Sequence, residues 1–147
     1  MARVKLKFPD QTPLFVTHIP LRVTDMNYGN HLGNDALLSI VHEARVQFLC
    51  SLSANELNIG EGKGLIMSDA AIAYKNEGRY GDMLQISIYP EEITDRSFDL
   101  LYKLQTLRQN ALLDIAHVKT GMVCFDYAAN SVATLPQAFL GKINGGG

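Results

Sequence analysis

The sequence predicts an α+β fold in which one long helix lies against a curved antiparallel sheet. Two observations predict it. Residues 34–51, N-D-A-L-L-S-I-V-H-E-A-R-V-Q-F-L-C-S, repeat their apolar side chains at helical spacing. Residues 65–126 then break into extended segments with alternating apolar positions joined by tight turns, and consecutive strands joined in that way run antiparallel.

Taken in order, residues 14–24, L-F-V-T-H-I-P-L-R-V-T, are β-branched and partly alternating, and read as a strand; Pro20 assigns it to an edge or a bulge, because proline cannot donate to a ladder. In the helix, Leu37, Ile40, Val41, Ala44 and Phe48 form the apolar stripe. Leu38, Val46 and Leu49 widen it, so the helix is expected to be covered on more than one side. Asn34 or Asp35 is the expected N-cap. A polar connection with Gly60, Gly62 and Gly64 leads to strands over 65–74, 83–89 and 97–107, a hairpin turn at 108–111, and a final long strand over 112–126. Gly121 marks a bulge in that strand, and strict alternation would send Ser68 and Asp69 to opposite faces. A short helix follows from Pro136 to about Lys142, where proline suits a first turn.

No repeat, linker or low-complexity run interrupts the 147 residues, which reads as a single domain, with residues 1–13 as an N-terminal arm and 143–147 as a disordered tail. A domain of this length buries roughly 70% of its unfolded surface and needs no disulfide or metal to fold. With 47% hydrophobic and 19% charged residues and a net charge of −2, the chain has no basic face for nucleic acid or an anionic membrane. No window approaches the ~18 apolar residues of a membrane helix, and the opening M-A-R-V-K-L-K-F-P-D lacks the apolar stretch of a signal peptide. Cys50 and Cys124 lie in apolar runs without a C-x-x-C pair, which predicts reduced, core-packed thiols and a cytoplasmic location.

The familiar catalytic layouts are absent from the sequence: no G-x-S-x-G elbow, no phosphate loop, no H-E-x-x-H and no zinc spacing, so no metal is expected. What stands out is V-T-D-M-N-Y-G-N-H-L-G-N-D, residues 23–35, at the mouth of the long helix. A helix N-terminus exposes unpaired N–H groups that can stabilise an oxyanion, and a nearby side chain can hold or deprotonate water. Asp25, Asn27, His31, Asp35 and Glu43 are the candidates. By residue type alone, capping and turning account for such a loop more often than catalysis.

The loop D-M-N-Y-G-N-H-L-G-N (25–34), followed by H-E-A-R-V-Q-F-L from His42, resembles the signature of hotdog-fold acyl-CoA thioesterases of the 4-hydroxybenzoyl-CoA thioesterase-like group. There, D-x-D-x-x-G-H-V-N-N opens the central helix and E-x-A-R lies on it. Y-K-N-E-G-R-Y-G-D-M-L (74–84), R-S-F (96–98), A-H-V-K-T-G-M-V (116–123) and P-Q-A-F-L (136–140) extend the likeness over about residues 14–142. The resemblance implies a homodimer or homotetramer with sites at the subunit interface. It implies hydrolysis of an acyl thioester at the start of the central helix, with CoA entering as part of the substrate and no cofactor. The family's usual catalytic residue, the second aspartate, falls on Asn27, which cannot take a proton near neutral pH. Its glycine falls on Asn30, and Gly33 replaces the first asparagine of N-N, while His31 and Asn34 match. The implied catalytic set is therefore Asn27 and His31, which orient water or substrate, with Asp25 or Glu43 as base; Tyr28, Gly33, Asn34, Asp35 and Ser68 are the implied substrate-binding residues. Arg79, Lys103, Arg108 and Lys119 are candidates for the CoA phosphates. The alternative is a protein that binds acyl thioesters without hydrolysing them, and a dehydratase of the same fold ranks below both.

Overall fold

The computed structural model describes residues 3–145. Its elements are β1 (Phe15–Pro20), α1 (Asn34–Ser51), β2 (Gly64–Tyr74), β3 (Met83–Glu91), β4 (Ser97–Arg108), β5 (Ala111–Asp126), β6 (Ser131–Val132) and α2 (Gln137–Ile143). The sheet is antiparallel in the order β1-β3-β4-β5-β2, with β6 paired to β5. Together with α1 it forms the hotdog arrangement, a long helix wrapped by a curved sheet.

The period of two explains how the sheet takes the helix. Leu84, Ile86 and Ile88 of β3, Leu100, Tyr102 and Leu104 of β4, and Ala116, Val118 and Met122 of β5 all face inward. They meet Leu37, Ile40, Val41, Ala44, Phe48 and Leu49 of α1. Burying each large apolar side chain contributes roughly 1.5–3 kcal/mol.

One charged group lies in this core. Arg45 donates from Nε to Glu56 at 2.9 Å and from Nη1 to the Tyr102 hydroxyl at 3.3 Å, and that hydroxyl shares a 2.7 Å bond with Thr120 Oγ1. Burial alone would lower the Arg45 pKa, but Tyr102 and Glu56 outweigh it and raise it above its usual value.

Several local expectations change. The first strand ends at Pro20, on the sheet edge, and residues Val23–Asp25 form a 3-10 turn, because Asp25 takes the Arg22 main-chain N–H at 2.8 Å and folds the chain back. The N-cap of α1 is Gly33 rather than Asn34 or Asp35. Leu38 and Val46 remain 43% and 44% exposed, because the sheet covers only one side of α1. Cys124 is buried as expected, but Cys50 is exposed. The bulge at Gly121 has its extra residue on the other strand: Ser68 of β2 is inserted opposite it. Ser68 and Asp69 consequently share a face, and a side chain at Gly121 would collide with both. The hairpin turn between β4 and β5 narrows to Gln109 and Asn110, both at positive φ as a tight two-residue turn requires. Ile143, read with the tail, is buried in α2, and Gly146 and Gly147 lie outside the described residues.

The N-terminal arm lies on the sheet's outer face. Phe8 sits between Tyr89 and His117, with ring centroids at 5.3 and 4.8 Å, and under the Lys103 ammonium at 4.7 Å. Beside this socket His117 pairs with Asp114 at 2.7 Å, and Gln105 donates to the same carboxylate at 2.8 Å. Burial would raise the Asp114 pKa, but the bonds from His117 and Gln105 outweigh it and hold it below the ordinary 3.8.

Two predictions follow from these contacts. Glu56→Ala leaves the Arg45 charge without its carboxylate and should lower unfolding stability by about 2 kcal/mol, with Arg45→Met added to it recovering more than half in urea titrations. A depressed carboxyl stabilises the fold above its unfolded pKa and loses that contribution as pH falls through its folded pKa. The urea-midpoint gap between wild type and Asp114→Asn should therefore be fully open above about pH 5 and close below the unfolded value of 3.8.

Candidate active site

The polar loop before α1 is built by its own side chains. Asn27 Oδ1 accepts the N–H groups of Gly29 at 2.9 Å and His31 at 3.2 Å, and the Asn27 N–H donates to the His31 carbonyl at 2.8 Å. The chain thus closes into a turn between Met26 and Leu32. Asn30 sits at φ 63, the left-handed conformation that asparagine tolerates better than most side chains. Its presence where the related signature has glycine follows from this geometry. Asp25 is buried, 5% exposed, with its carboxylate held by Arg22 and its carbonyl accepting the Gly33 N–H at 3.0 Å. It braces the loop against the helix.

The chain after β2 closes the other side. Leu32 donates to the Gly78 carbonyl at 2.9 Å, and a Cβ at Gly78 would come within 2.9 Å of the Leu32 Cβ, so only glycine allows this approach. Tyr74 donates from its hydroxyl to Asn34 Oδ1 at 2.9 Å. Burial pushes the Tyr74 phenol above its usual pKa, which keeps it a donor.

Between these walls lies a pocket of about 260 Å³ with an apolar floor of Leu32, Leu37, Ile115 and Ala116. Its rim carries His31, Asn34, Tyr74, Lys75, Asn76 and Glu77. His31 Nε2 lies 3.0 Å from Glu77 Oε2. At the helix start no side chain caps the backbone, and the first intrahelical donor is Leu37, bonded to Gly33. Among the described residues, the N–H groups of Asn34, Asp35 and Ala36 have no partner. A carboxylate and an imidazole thus meet on the rim of an apolar hollow whose wall includes Asn34, the first residue of α1. A second cleft of about 510 Å³, between Gln11–Leu14 and Ile143–Gly145, has no ionisable side chain in its walls and so offers no acid or base.

The structure gathers Asn27, His31, Gly33, Asn34 and Asp35 at the helix start. The other predicted residues lie apart. Tyr28 is fully exposed at the loop tip. Glu43 is exposed further along α1, where it accepts from Gln47 at 2.9 Å; neither Arg45 nor Arg79 pairs with it. Ser68 bonds the Gly121 carbonyl at 3.2 Å within the β2 bulge. Of the basic candidates, Arg108 pairs with Asp82, Lys119 with Asp69, and Lys103 covers Phe8. Glu77 and Tyr74 were not singled out by the sequence, although both lie in the 74–84 segment that carries the family resemblance.

Fold and site together define a hotdog protein with a polar-rimmed, apolar-floored pocket at its central helix. The chain belongs to the thioesterase-like superfamily, whose model matches residues 21–143, and this sets its class as a hydrolase of thioester bonds. Among solved structures it is similar to Slr0204, a 1,4-dihydroxy-2-naphthoyl-CoA thioesterase from Synechocystis, at 22% identity over 88% of this chain and 95% of that one, with a TM-score of 0.77. It is also similar to the PA2801 protein from Pseudomonas aeruginosa, at 22% identity over 90% and 99% with a TM-score of 0.79. The BH1999 gentisyl-coenzyme A thioesterase matches at 19% identity over 88% and 99% with a TM-score of 0.74. These likenesses concern the fold. No curated protein matches the chain significantly. No helix among the described residues is long and apolar enough to cross a membrane.

The turn geometry yields a prediction. Asn30→Gly should leave thermal stability within about 0.5 kcal/mol of wild type, whereas Asn30→Val, which resists positive φ, should cost about 1–2 kcal/mol by calorimetry.

Proposed function

We propose that the protein hydrolyses acyl-CoA thioesters to the free acid and CoA, with Glu77 as general base. The observation that carries this is the His31–Glu77 pair, 3.0 Å apart on the rim of the pocket that opens at the start of α1. The acyl group occupies the apolar floor, and its carbonyl oxygen points at the open N–H groups of Asn34 and Asp35. His31 donates to one Glu77 oxygen and orients the carboxylate. The other oxygen removes a proton from water as the water oxygen bonds to the carbonyl carbon. The tetrahedral oxyanion is held by the backbone donors. Its collapse breaks the C–S bond, and the proton passes to the leaving sulfur. Glu77 takes the role that Asn27 cannot fill, while Asn27 fixes the loop that presents His31. Asp25 and Glu43 are left to bracing and to the helix surface.

The reaction draws on water alone, and CoA enters only as part of the substrate. The working unit in this reading is a homodimer, itself able to pair into a tetramer, joined through β2, whose edge is open and whose residues Met67–Ala70 are exposed. Two free cysteines suit the reducing cytoplasm.

A second reading, an acyl-thioester binder without turnover, is favoured by Asn27, whose carbonyl oxygen is already committed to two N–H groups. Thiol release from a panel of aromatic, short-chain and long-chain acyl-CoAs separates the two. Hydrolysis predicts release by wild type and a fall in kcat of about 100-fold or more in Glu77→Gln. A binder predicts no release from any substrate despite measurable CoA affinity, with turnover emerging only in Asn27→Asp.

A further inference from the structure

Residues 3–13 precede the segment that the superfamily model matches, 21–143, yet they are built into the fold. Leu14 bonds the Ile88 carbonyl at 2.9 Å, and the arm then crosses the sheet's outer face, held by Phe8 in its socket. It ends beside β2, where Arg3 and Lys5 face Ala73, Tyr74 and Lys75 across a cleft of about 410 Å³. The cleft is lined by three cations and no carboxylate. None of the three forms an ion pair among the described residues, whereas Lys119, Arg108 and His117 on neighbouring strands are each matched by an aspartate. This gathering of unmatched positive charge occurs in a chain whose net charge is −2. The cleft also adjoins the candidate active site, since Tyr74 and Lys75 line both hollows.

We infer that the N-terminal arm completes a phosphate-binding site, formed by Arg3, Lys5 and Lys75, that holds the phosphates of CoA while the thioester lies in the pocket at α1. The inference rests on the thioesterase reading for its ligand but assigns the anchoring of that ligand to the arm, outside the superfamily segment. A phosphate dianion or diphosphate suits a cleft lined by two ammonium groups and a guanidinium, and the flexible pantetheine chain links the two hollows past Tyr74. The recognition acts on the carrier and not on the acyl group, so it affects affinity rather than the chemical step.

The test compares wild type, Arg3→Ser/Lys5→Ser, which leaves the rim of the α1 pocket intact, and a charge-matched control, Lys63→Ser/Arg96→Ser. CoA itself is titrated calorimetrically, and hydrolysis is followed with an acyl-CoA and with the same acyl group on N-acetylcysteamine, which has no phosphate. The site predicts about tenfold weaker CoA binding in the arm variant and an equal rise in KM for acyl-CoA, with kcat and the N-acetylcysteamine reaction unchanged. CoA affinity within twofold of wild type, or an equal loss in the control, overturns it. If no thioester is hydrolysed, the thioesterase reading fails by itself, and the calorimetric comparison still decides the site. Should the arm variant unfold, wild type decides: CoA affinity must fall steeply with salt while acyl-N-acetylcysteamine kinetics do not.

Discussion

The buried guanidinium of Arg45 is the constraint on which the arrangement turns. A charge in that position is costly unless it is paired and hydrogen-bonded, and its partners come from three separate parts of the chain: Glu56 after α1, Tyr102 on β4 and, through Tyr102, Thr120 on β5. Apolar packing alone would let the helix slide or rotate on the sheet at small cost. The polar network does not, because any shift strands a charge in the core. Fixing α1 fixes its first turn, and with it the direction of the open N–H groups at Asn34–Ala36. No buried side-chain nitrogen or oxygen among the described residues lacks a partner. As at the start of any helix, the first N–H groups of α1 have no partner within the helix, and here they begin at Asn34, beside the pocket.

The main elements were legible because their signals are periodic. The α1 boundaries, residues 34–51, were read from the spacing of Leu37, Ile40, Val41, Ala44 and Phe48, and the strands from alternation. What failed was information that periodicity does not contain. Leu38 and Val46 are as apolar as their neighbours, and only the placement of the sheet shows that they stay open. The N-cap went to Gly33 because the Asp25 carbonyl claims its N–H, a contact between residues on two sides of a turn. Ser68 and Asp69 share a face because one inserted residue resets the alternation, and an insertion is visible only when the partner strand is known. The arm was named as an arm, but alternating lysines and apolar residues do not say which surface they cover.

The pocket beside the helix start was legible in its position and not in all of its lining residues. The loop from Asp25 to Asn34 was recognised, and His31 and Asn34 do stand on the pocket rim. Glu77 was overlooked because it reaches the pocket through a close approach of two loops that glycine at position 78 makes possible, a relation across more than forty residues of sequence. Asp25 and Glu43 were attractive as carboxylates near the helix start. Their contacts show how little proximity in sequence says about availability: one is enclosed by Arg22 and the loop, and the other lies on the helix surface with Gln47.

The Ser68 insertion reaches beyond the geometry of two side chains. It divides the open edge of β2 into two short runs, Gly64–Met67 and Asp69–Tyr74, offset from each other by one residue. A foreign strand with regular spacing can match one run or the other but not both. The bulge thus works as a lock on the sheet's edge, discouraging the indiscriminate strand addition that turns an exposed edge into an aggregate.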